Sequence, residues 1–169
     1  MPGRPLHLAR RFFEVLLARP LDTTEVSAIA SWIGPGLWDL FASQQVADQR
    51  HGYETGRRVL DAGVTDSELI TAAVLHDVGK RHSRLGAVGR TLATLLMAMR
   101  LPMPRRMASY RDHGVLGAAD LETAGAPDIA VLFARYHQGR RPESIPSQAW
   151  EVLHGADLAT KPRRRGPAE

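Results

Sequence analysis

A chain of 169 residues, 44% hydrophobic and 24% charged, carries enough apolar material for a single globular core. It contains no cysteine, which excludes disulfides, sulfur-ligated zinc and thiol catalysis. The net charge of +4 invites an anionic partner, but Lys161, Arg163, Arg164 and Arg165 lie in a Pro/Gly-punctuated tail expected to be disordered, and no aromatic platform supports nucleic-acid binding.

Helical spacing dominates the chain. Leu6, Phe13, Leu16 and Leu17 share one face of a helix over 6–18 that Pro20 ends. Glu14 interrupts the apolar run beside Arg10 and Arg11, so no signal-peptide layout is present and a cytoplasmic location is expected. Thr23 is the expected N-cap of a second helix, with Val26, Ile29 and Trp32 as its inner stripe. Gly34, Pro35 and Gly36 read as a turn. Residues 37–60 then form one or two helices carrying His51, closed by Gly63. Thr65 or Asp66 caps the helix that delivers His76 and Asp77. Gly86 and Gly89 loosen the chain ahead of a helix over 92–99, which Pro102 and Pro104 terminate; this apolar run is too short to span a bilayer. Residues 114–123 are short and helical, and Pro127 fits the first turn of a helix running to His137. A Gly/Pro-rich loop follows over 138–147, and Ser147 caps a last helix ending near Thr160. No stretch alternates as a strand would. The expected fold class is all-α, a helical bundle without internal repeats.

The sharpest feature closes the apolar run over 69–75. His76 and Asp77 are neighbours, about 100° apart on a helix, so they cannot share one packed face. Burying both is costly unless something pairs with them, and a metal ion is the obvious partner. His51, His113, His137 and Asp157 each fall on a separate predicted helix or helix start, and such positions can converge inside a bundle. Any one of these histidines alone would more commonly be a surface or satisfied core residue; the set is what signals a site. Imidazole and carboxylate without sulfur suit iron, manganese, zinc, cobalt or nickel better than calcium, with magnesium also open. His7, His82 and His154 are unassigned, His82 being expected on the surface and His154 packed near Asp157.

The stretch Val74-Leu75-His76-Asp77-Val78-Gly79-Lys80 resembles the HD superfamily of metal-dependent phosphohydrolases, and the superfamily pattern H…HD…D is matched in order by His51, His76, Asp77 and Asp157. The resemblance covers residues 45–160. It implies a metal held by those four, one domain over 1–160 (N-terminal helices over 1–42, metal-binding core over 43–160), and a basic tail over 161–169. "HGVLGAADL" from His113 and "RYHQGRRP" around His137 are similar to segments of the HDIG-type phosphodiesterases. That similarity implies a second divalent ion on His113 and His137, with Asp77 bridging the two. Gln138 stands where the cyclic-di-GMP-cleaving members carry a second consecutive histidine, and their Gly-Tyr-Pro signature is absent, which argues against a third metal and that substrate.

The activity so implied is hydrolysis of a nucleotide or other small phosphoester through a metal-activated water, with Asp77 and Lys80 catalytic. Lys80, one turn beyond His76, would face a phosphoryl oxygen, or else merely complement a helix terminus. Arg140 and Arg141 are weaker candidates for phosphate contact, and Asp48, one turn before His51, is expected to orient it. Three alternatives stay open: a di-iron oxygenase of the same superfamily acting on a small phosphorylated or polyol substrate, a cyclic-dinucleotide phosphodiesterase, and a non-catalytic binding module. No membrane partner is expected; a homo-oligomer is left open. From Lys80 to Arg111 there are basic residues and no acidic one, which reads as a solvated face or as a positive rim for a phosphorylated ligand. Met97, Met99, Met103 and Met107 within it serve core packing or a partner surface.

Overall fold

The computed structural model describes Ala9 and residues 12–159. His7 and the basic tail lie outside the described residues, and so does part of the first expected helix, which is seen over 12–16. Beyond it come α1 (Thr23–Ile33), α2 (Pro35–Ala42), α3 (Val46–Asp61), α4 (Ser67–Leu75), a 3-10 turn (Val78–His82), α5 (Ala87–Ala98), α6 (Arg105–Arg111), α7 (His113–Thr123), α8 (Asp128–Tyr136) and α9 (Ser147–Leu158). The fold is all-α, with no strand among the described residues. No described helix is long and apolar enough to cross a membrane.

Helix α4 is the centre of the bundle, packed against α1, α3, α8 and α9. Its residues Ile70, Thr71, Ala72, Ala73, Val74 and Leu75 are all buried. That explains why this segment reads as a continuous apolar run: a helix covered on every side has no polar face to keep. Asp66 caps it, accepting from the backbone N–H groups of Glu68 and Leu69. Around it Ile29, Phe41, Val59, Leu121, Phe133 and Leu153 complete the core, each burial contributing about 1.5–3 kcal/mol. Helix α3 approaches α4 closely because Gly52 and Gly56 face it: a Cβ on Gly52 would stand 2.5 Å from the Val74 carbonyl oxygen. This near-contact of backbones sets His51 beside the end of α4.

Several boundaries differ from expectation. The N-cap of α1 is Asp22, not Thr23; its carboxylate accepts the Glu25 N–H at 2.9 Å while the Glu25 carboxylate accepts the Asp22 N–H at 2.9 Å. That reciprocal pair satisfies two end donors, which Thr23 has no matching partner to do. Only Gly34, at φ 71°, breaks the chain before α2, and Pro35 opens that helix where its missing N–H costs nothing. Helix α5 starts at Ala87 and absorbs Gly89. Helix α6 was not expected at all; Pro104 reads as a breaker but occupies the cap position. Ser147 is the first residue of α9, behind Pro146.

Helices α5 and α6 form a thinner layer. They enclose a satellite cluster of Leu85, Ala93 and Tyr110, against which Met97 and Met107 pack. Two of the four internal methionines thus serve packing, whereas Met99 is exposed.

Candidate metal centre

His76 caps the C-terminus of α4, and Asp77 follows at φ −98°, ψ 5°, where the chain tightens into the 3-10 turn. Both are buried. Four other elements converge on them. Helix α3 brings His51, the first residue of α7 is His113, the cap of α8 is His137, and the last turn of α9 carries Asp157.

The Asp77 carboxylate divides these residues between its two oxygens. Its Oδ2 lies 3.5 Å from His76 Nε2 and 3.7 Å from His51 Nε2. Its Oδ1 lies 3.0 Å from His113 Nε2 and 3.4 Å from His137 Nε2. Asp157 Oδ1 closes the first group, 3.0 Å from His51 Nε2 and 3.3 Å from His76 Nε2. Donor atoms of His51, His76 and Asp157 lie within 4.8 Å of one another, and so do those of His76, Asp77 and His137.

Three of the imidazoles are pinned in one orientation. His76, His113 and His137 donate through Nδ1 to the carbonyls of Ala73, Tyr110 and Ala134, at 2.8, 2.6 and 2.8 Å. A carbonyl can only accept, so Nδ1 carries the proton, and in the neutral ring the lone pair sits on Nε2. Those lone pairs face carboxylate oxygens, acceptors against acceptors. His76 Nε2 is buried with no hydrogen-bond partner. Only a proton or a cation between such groups makes the arrangement favourable.

The electrostatics agree. Burial works against a charged His76, but Asp77 and Asp157 outweigh it and hold its pKa up at about 9. The field that keeps a proton there attracts a metal ion equally. Burial alone would raise Asp77, yet the Lys80 ammonium, the charge of His76 and the close imidazoles of His113 and His137 hold it well below the usual carboxylate range. Asp157 is likewise held down against its burial, by the charge of His76 and by its 3.0 Å contact with His51. Burial pushes His113 below its ordinary value, which keeps it neutral and able to ligate. The donor set, the fixed tautomers and the orphaned Nε2 fit a bound metal ion, and these buried clusters can hold one.

The remaining predicted residues fall differently. Lys80 is buried and its Nζ pairs with Asp77 Oδ2. Asp48 does not turn toward His51 as expected. Both its oxygens accept from Arg90, at 2.6 Å each, because a buried guanidinium offers a bidentate partner that an imidazole one turn away does not. Arg140 and Arg141 are exposed, and Arg141 donates to the Ile145 carbonyl at 2.7 Å, closing its own loop. His154 stacks on Trp150, and His82, on the surface, approaches Asp120 at 2.7 Å. Most of the basic run is paired: Lys80, Arg81, Arg90 and Arg111 pair with Asp77, Asp120, Asp48 and Asp112, and Arg106 donates to the carbonyls of Ser83 and Arg84, whereas Arg84, Arg100 and Arg105 are exposed.

Other residues support the centre without a sequence signal. Asp120 of α7 takes Arg81 and His82, stapling the turn that carries Lys80 to the helix that carries His113. The Arg90 guanidinium also lies over the Tyr110 ring, 5.7 Å from its centroid, and the Tyr110 carbonyl is the one that fixes His113. The Gln138 amide nitrogen lies 2.7 Å from Nε2 and 3.1 Å from Nδ1 of His113. Proximity to both nitrogens puts the amide across the ring face, so it does not occupy the in-plane lone pair. No protein-family model, curated protein or solved structure matches the chain.

Proposed function

We propose that this protein is an HD-type metal-dependent phosphohydrolase that cleaves a nucleotide or another small phosphoester. The observation that carries the reading is the split of five partners about one carboxylate: His51, His76 and Asp157 on the Oδ2 side of Asp77, and His113 and His137 on the Oδ1 side. That layout suits two ions sharing Asp77, as the similarity of the His113 and His137 segments to the HDIG-type phosphodiesterases implies. Bound divalent metal would lower the pKa of a coordinated water and neutralise phosphoryl charge.

The chain's own residues supply the rest. Nδ1-pinned histidines hold their lone pairs inward without reorganising. Lys80, already drawn to Asp77, stands where its ammonium can meet a non-bridging phosphoryl oxygen, and this role favours the charge that grows in the transition state. Arg140, exposed on the loop after His137, is open to an incoming anion, and Arg141, also exposed, can reach one with the guanidinium nitrogens it does not give to Ile145.

The test is a screen of the metal-loaded protein for phosphate release from nucleotides, cyclic dinucleotides and simple esters. Lys80→Ala should lower turnover on the first active substrate on the order of 10²-fold, with metal content unchanged. Wild-type turnover in a fully metallated Lys80→Ala protein would remove Lys80 from the mechanism. Dioxygen consumption without phosphate release would replace the hydrolase by an oxygenase.

A further inference from the structure

Helix α5 presents an exposed apolar face with no charge on it. Val88, Leu92, Leu95 and Met99 follow one another at spacings of four, three and four residues, which is a single stripe along a helix. They are 72%, 45%, 42% and 65% exposed, and Leu101 just beyond is 45% exposed. The one charged residue of α5, Arg90, is buried and points the other way, at Asp48 and Gln45. A helix facing water ordinarily keeps charged or polar side chains on its outer side. Three turns of apolar stripe without a charge form a contiguous apolar patch of the kind contact surfaces present. Beneath it α5 rests on the satellite cluster of Leu85, Ala93 and Tyr110, not on the main core.

We propose that this face pairs two copies of the chain about a two-fold axis crossing α5. The stripe reads the same from either end. With the axis midway between Leu92 and Leu95, antiparallel helices set Leu92 against the partner's Leu95 and Val88 against the partner's Met99, with Gly89 beside the partner's Ala98. Such self-complementarity is what a two-fold interface requires. Nothing charged lies along the stripe to repel a like surface. The exposed cations are confined to its two ends, Arg84 ahead of Val88 and Arg100 between Met99 and Leu101, whereas an acidic helix or an anionic lipid surface would be gripped by cations along its length. Together Val88, Leu92, Leu95, Met99 and Leu101 leave on the order of 500 Å² of apolar surface on each copy, so full pairing hides about 1,000 Å² in all, the threshold size for a specific interface. The face lies opposite the side of α5 that holds Arg90, and the inference does not depend on the metal centre.

Sedimentation equilibrium of the full chain at micromolar concentration should give twice the 18.6 kDa chain mass. Leu92→Glu and Leu95→Glu should each weaken self-association at least ten-fold and leave a folded monomer. Met99→Glu, at a position more exposed than either, gives the same readout should those two unfold. Because the chain has no cysteine, oxidising a mixture of Val88→Cys and Met99→Cys chains should yield the mixed disulfide in excess over either like pair. A wild-type monomer throughout, a dimer that survives all three Glu substitutions, a monomer that sediments with phosphatidylglycerol vesicles, or a predominance of like pairs would each overturn the proposal.

Discussion

Gly79→Ala tests the packing that holds the two halves of the centre together. A Cβ on Gly79 would stand 2.0 Å from the His113 carbonyl oxygen, 2.9 Å from its carbonyl carbon and 2.5 Å from the Gly117 nitrogen. These are backbone atoms of α7, so no side-chain rotation can relieve the clash, and the whole helix must retreat. Overpacking costs about 1–3 kcal/mol where side chains can yield, and a backbone displacement belongs at the top of that range. At roughly 2–4 °C per kcal/mol for a chain of this size, the melting temperature should fall by about 6–12 °C. The same retreat draws His113 Nε2 away from Asp77 Oδ1, now 3.0 Å apart, so metal content should fall as well. Gly155→Ala is the control, since a Cβ there meets nothing within 4 Å and should be neutral or stabilise by up to about 1 kcal/mol. Circular-dichroism melting with metal analysis of the same preparations reads both effects. A Gly79→Ala protein that melts with the wild type and holds full metal would refute the close approach of the 3-10 turn to α7.

Two further outcomes follow from the geometry. His113→Ala combined with His137→Ala should reduce metal content from about two ions to about one while the fold survives; plasma mass spectrometry of the purified variant, with a far-ultraviolet spectrum, checks it, and an unchanged count would make both residues structural. Chelator-treated protein should lose stability as pH rises toward 9. His76 has a folded pKa raised to about 9 against an unfolded value of about 6.5, so its contribution is complete below about 6.5 and vanishes as pH climbs through about 9. Melting curves from neutral to alkaline pH, wild type against His76→Gln, measure this; equal slopes would show that His76 does not hold the proton.

Much of the centre was legible because its signals are local or ordered. The run over 69–75 is apolar on all sides, so two polar residues at its end stand out, and the remaining histidines and Asp157 each sit on a separate helix. What escaped the sequence depends on partners far along the chain. Asp48 lies one turn from His51, which suggested a local pairing, but Arg90, 42 residues on, offers both its terminal nitrogens. The run from Lys80 to Arg111 suggested a positive surface because its neutralising carboxylates, Asp48, Asp77, Asp112 and Asp120, all lie outside it in sequence. Helix α6 was hidden by prolines that act as a cap rather than a break. The methionines of this stretch could serve packing or a surface, since apolar spacing does not say which side of a thin layer meets water; Met97 packs and Met99 is exposed.

The most direct test of the account is the metal content of the purified chain beside that of Asp77→Ala. Asp77 touches both groups of donors, so its loss should strip a transition metal that the wild type retains through gel filtration. Wild-type protein that binds no divalent metal from solution, or an Asp77→Ala protein that keeps the full complement, would contradict the metal centre.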